Sequence, residues 1–95
     1  MTQVENLEYQ HEAPVTTGAA SVAVLTAKNR EYLGIANRSI VAAEVVWLNC
    51  AGAPAVVGVG IPIGPGGFWE PHTPPVGAIA AIAESGTPIL VPTWG

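Results

Sequence analysis

At 95 residues the chain has room for one domain and one core, with little apolar surface to spare. A formal charge of −4, with Lys28, Arg30 and Arg38 as its only bases, excludes nucleic acid as the expected partner. The lone Cys50 excludes an internal disulfide, and the chain offers neither a basic start with an apolar run, as a Sec-type address needs, nor a run near eighteen apolar residues free of Gly and Pro, so no membrane partner is expected.

Residues 1–13, MTQVENLEYQHEA, form the first element. They lack Gly and Pro and carry Glu5, Glu8 and Glu12 without a basic residue. Val4, Leu7 and His11 fall near helical spacing, but a helix this short is marginal in water, so an extended N-terminal arm is expected. Its apolar anchors are Val4, Leu7 and Tyr9.

Residues 14–95 change texture to Val, Ile, Thr and Ala runs punctuated by Gly, Pro and Asn, which breaks long helices and favours short strands. Ala20 to Thr26 sets Val22 and Val24 on one face, Lys28 to Arg30 reads as a polar turn, and Glu31 to Asn37 sets Leu33 and Ile35 on one face. Asn37, Arg38 and Ser39 make the next turn. Ala43 to Cys50 is the clearest strand: Val45 and Trp47 share one face, Val46, Leu48 and Cys50 the other. With both faces apolar it suits a central strand. Cys50 sits in that apolar run as a small buried hydrophobe. A short strand is expected over Ala55 to Val59.

Ile61 to Glu70, IPIGPGGFWE, reads as a sheet-edge hairpin or corner, because Pro62 and Pro65 lack ladder donors while Gly64, Gly66 and Gly67 supply turn geometry. Glu70 to Val76 follows as a loop stiffened by Pro74 and Pro75. Ala78 to Glu84 is bracketed by turn residues and is read as strand. Thr87 to Trp94 closes the chain, with Pro88 and Pro92 arguing for a sheet edge. The sum is an all-β chain: a small antiparallel β-sandwich, jelly-roll or Ig-like, of seven to eight short strands behind an N-terminal arm.

Few residues could carry chemistry. Glu70 and His72 flank Pro71 beside Trp69, but an acid–base pair needs a third orienting group, and the chain has no Asp. His72, Glu70 and Cys50 are too few donors for a metal. Trp69 and Trp94 could stack on a sugar, although filling the core or an interface is the commoner use of Trp in a small sandwich. Gly58, Gly60, Gly64 and Gly66 are turns, since neither a helix nor a Lys follows. No enzyme activity, cofactor or metal is expected. With 49% of residues apolar and 11% charged, part of the apolar surface is expected to be covered by another subunit.

NREYLGIANRS from Asn29, VVWLNCAGAPAVVGVGIPIGPGGFWE from Val45 and GAIAAIAESGTPILV from Gly77 together resemble a family of small tailed-phage virion proteins, over about residues 14–94. The likeness lies in Asn37 closing a strand, the Gly60-Ile61 step, the turn from Pro65 to Phe68 and the turn from Ser85 to Thr87. The resemblance implies a β-sandwich in the virion, made in the host cytoplasm, that decorates the outer capsid surface. Its partners would be the major capsid protein and further copies of itself, as trimers or other rings. A head- or tail-fibre module binding a host receptor or glycan is the alternative. The residues expected at the capsid or subunit interface are Val4, Leu7, Tyr9, Phe68, Trp69, His72 and Trp94.

Overall fold

Nine strands and no helix make up the regular structure of residues 9–95, the part of the chain that the computed structural model describes. They are β1 (Gln10–His11), β2 (Val15–Thr16), β3 (Val22–Leu25), β4 (Leu33–Asn37), β5 (Val46–Asn49), β6 (Ile61–Ile63), β7 (Phe68–Trp69), β8 (Ile79–Ala83) and β9 (Ile89–Trp94). One antiparallel sheet runs β1-β9-β4-β7, with β2 also paired to β9, and the other runs β3-β8-β5-β6. Leu33, Ile35 and Leu90 from the first sheet meet Val24, Val46, Leu48, Ile63, Ile79 and Ala81 from the second in one core. Period-two alternation puts them there, and burying each Leu or Ile stabilises the fold by about 1.5–3 kcal/mol. The expected all-β architecture is therefore observed.

β1 and β2 pair with the same strand, with a step in register between His11↔Thr93 and Val15↔Leu90. Counted as one strand interrupted around Pro14, they leave eight strands, ordered first-eighth-third-sixth in one sheet and second-seventh-fourth-fifth in the other. That order is the jelly roll rather than the Ig-like arrangement. The chain is thus a long antiparallel ribbon: β5 pairs with β6, β4 with β7, β3 with β8, and β1 and β2 with β9.

Two local expectations are corrected, and one open alternative is resolved. Ala55 to Val59 is not a strand but a tight turn closed by an isolated Val56–Val59 bridge, because Gly58 takes a positive φ of 84°. The last strand, β9, lies inside its sheet rather than at its edge. Its prolines are tolerated for a geometric reason. Arg38 N donates to Ile89 O and Gly95 N to Tyr32 O, so the odd-numbered residues of β9 turn their backbone groups toward β4. The missing donors of Pro88 and Pro92 face the other side, where their carbonyls accept from Thr17 N and Glu12 N and the flanking strand is interrupted. Finally, Ile61 to Glu70 is a corner and not a hairpin, since it passes from β6 at the edge of one sheet to β7 at the edge of the other.

Residues 9–13, within the segment read as an arm, supply β1, and the Glu12 carboxylate accepts from Trp94 Nε1 at 2.6 Å. Val4 and Leu7 lie outside the described residues.

Candidate functional site

Cross-strand partners share a sheet face, so the pairings Ile35↔Trp69 and Ala36↔Phe68 decide where the two aromatics of β7 go. Ile35 is fully buried, which turns Trp69 inward against the core and Phe68 outward with Ala36. Gly34 makes room for this: a Cβ there would collide with the Phe68 ring and stand 2.7 Å from Tyr32 Oη. Phe68 can therefore lie across β4 toward Tyr32.

Tyr32 meets Tyr9 edge to face, with ring centroids 5.1 Å apart at 85°. Beside them His11 Nδ1 and Thr93 Oγ1 are 3.0 Å apart, on the cross-strand pair that joins β1 to β9. Tyr9, His11, Tyr32, Phe68, Glu70 and Thr93 line an open depression of about 430 Å³ on the outer face of this sheet. Tyr9 and Phe68 are 54% and 56% exposed, high values for large apolar rings. The Tyr32 phenol is pushed up to about 12, first by its hydrogen bond to Glu70, then by burial and by repulsion from Glu70 and Tyr9. It therefore stays a neutral hydrogen-bonding group, and the depression combines three aromatic rings with an acidic and a hydroxylic rim.

The residues expected at an interface separate accordingly. Tyr9 and Phe68 converge on this surface. Trp69 and Trp94 are half-buried and pack against the core. Trp94 is further held by Glu12 and carries the Lys28 ammonium 3.9 Å from its ring centroid. His72 is exposed on the loop beyond Glu70 and does not line the depression. Tyr32 and Thr93 were missed from the sequence, and His11 and Glu70 were weighed only for other roles. A signal for Tyr32 existed, since alternation with Leu33 and Ile35 puts it outward beside a glycine.

The Pro-rich loop is anchored from below. Arg30, read as part of a polar turn, is only 7% exposed: its Nη1 donates to Pro75 O and its Nη2 to Thr26 O, while Nε has no partner. Burial lowers its pKa, partly opposed by Cys50. Lys28 N adds a bond to Val76 O at 2.8 Å. The Cys50 thiol is pushed up by burial, with Arg30 opposing, so it is less reactive than an exposed thiol. Among the described residues no three His, Cys or Glu side chains gather to hold a metal ion.

Comparison with protein-family models, with curated proteins and with solved structures gives no match.

Proposed function

We propose that the protein is a structural component of a phage particle that binds the outer capsid surface and bridges neighbouring subunits, with the aromatic depression as its contact surface. The observation that carries this reading is the outward display of Tyr9, Tyr32 and Phe68 on a rigid sheet face. Exposed aromatic rings of this kind are the residues on which binding energy concentrates when a partner excludes water from them. Two further considerations support it: the jelly roll is a recurrent architecture of viral shell proteins, and the sequence motifs over residues 14–94 suggest small tailed-phage virion proteins. The major capsid protein is the partner. By binding the assembled shell and not its dissociated subunits, such a protein shifts the assembly equilibrium by mass action, and no cofactor enters.

Co-sedimentation with shells of the parent phage lacking this protein is the test. Saturable binding is expected, weakened roughly 10- to 100-fold by Phe68→Ala, a change that leaves the core untouched. A chain starting at Tyr9 separates this surface from any contribution of residues 1–8. Absence of shell binding, with retention on host-surface glycans, would replace the decoration reading by that of a fibre module.

A further inference from the structure

The opposite face of the sandwich holds a second exposed apolar feature, and it is built with unusual rigidity. Val56 to Val59 form a type II turn: Val59 N donates to Val56 O at 3.1 Å, with Gly58 at φ 84° in the position that demands glycine. Both ends of the turn are fixed. Ala55 is buried and its N–H donates to Ser21 Oγ at 2.8 Å, while Gly60, at φ 108°, lies so close to Leu48 O that any Cβ would collide with it. The turn presents Val56, Val57 and Val59 at 55%, 45% and 57% exposure. Connections normally carry polar residues at such tips, and holding three valines in one conformation prepares them to bind at low entropic cost.

Beside the turn, along β3 and the start of β8, lies a groove of about 390 Å³, lined by the outward Ala23 and Ala80 with Ala78, reaching the core residues Leu25 and Ile79, and walled by Gly52 to Pro54. It is as large as clefts that engulf a ligand, and its lining holds no charged side chain. Residues 19–27, 51–63 and 77–83, which build both the turn and the groove, contain no Asp, Glu, Lys, Arg or His. A partner that placed charge here would lose its hydration without gaining a counter-charge. An identical face brings none. It also offers a protruding tip for each groove and a groove for each tip, which is the reciprocity that a two-fold interface requires.

We infer that the β3-β8 side of the β3-β8-β5-β6 sheet, away from Glu84 and its bond to Trp47 on β5, is a self-association surface on which two copies of this chain exchange their valine turns, each seated in the other's groove. This pairing is a property of the free chain, so it stands or falls independently of shell binding. The aromatic depression on the other sheet stays uncovered in the dimer.

Sedimentation equilibrium of the full chain tests it. A dimer is expected, and Val57→Lys or Ala23→Glu, both at exposed positions, should each raise its dissociation constant about a hundredfold without altering the circular dichroism. Combining the two substitutions brings opposite charges together across the dyad and should restore the dimer, which a fold defect would not do. A monomeric wild type, a three-fold ring, a dimer indifferent to either substitution, or a double variant that stays monomeric would each overturn the inference.

Discussion

The carboxamide of Asn37 satisfies three backbone groups at once. Its Nδ2 donates to Glu44 O at 2.9 Å and to Ile63 O at 3.0 Å, and its Oδ1 accepts from Ser39 N at 3.0 Å. It thereby ties the end of β4 to β6 in the facing sheet, from a site with almost no solvent contact. Asn37→Ala leaves those groups without partners and should cost about 2–4 kcal/mol in urea denaturation. Asn37→Asp should cost more, because a carboxylate would face two carbonyl oxygens. Tyr32 gives a second prediction at this scale. Its folded pKa of about 12 exceeds the ordinary phenol value of about 10, so the stability it contributes is fully present below pH 10 and is lost as pH rises through 12. Thermal unfolding midpoints should fall across that window more steeply for the wild type than for Tyr32→Phe, and the tyrosinate absorbance of the two should differ near pH 12.

Among the elements, β1 shows how much a two-residue strand can hold. It caps the end of β9 through Gln10↔Trp94 and His11↔Thr93, and Glu12 then adds a backbone bond to Pro92 and a side-chain bond to Trp94. A chain starting at Pro14 should be less stable than one starting at Tyr9 by about 1–3 kcal/mol, with Trp94 fluorescence shifted to the red as its indole loses that cover. The core should persist, because β2 still flanks β9 at Leu90 and Ile89. β1 and β2 were not legible in the sequence, since two residues show no alternation. β4, β5 and β8 were, because Leu33 with Ile35, Val46 with Leu48, and Ile79 with Ala81 repeat at period two and end at turn residues. β9 misled through its prolines: a missing donor excludes one side of a strand, and the sequence does not say which. For the same reason the valines from Val56 to Val59 read as strand when their exposure belongs to a turn.

For the whole molecule, composition and alternation made a two-layer all-β fold legible, yet the strand order was not. Apart from the β5–β6 hairpin, the strand pairings join segments distant in sequence, and no local pattern encodes which distant edge a strand will meet. The candidate site was half legible for a related reason. Tyr9 and Phe68 stand out as aromatics in any reading, but their meeting over Gly34 depends on β1, β9, β4 and β7 lying side by side. The low charge content pointed to covered surface without saying where. The charge-free segments 19–27, 51–63 and 77–83 gather around β3, the start of β8 and the valine turn, while Glu84 stays on the β5 side of the same sheet, bonded to Trp47, and Glu12, Lys28, Arg30 and Glu70 lie on the other sheet and its loops.

The nested pairing of the ribbon also sets an order of events in time. If the β5–β6 hairpin closes first, each later pair joins strands that the preceding pair has already drawn together, so the cost of each closure is that of a short loop and not of the full separation along the chain. Gln10 and Trp94, among the most distant partners in sequence, then become among the last and least expensive to bring together. Opening runs the other way, starting where the two ends of the domain meet and reaching the valine turn last.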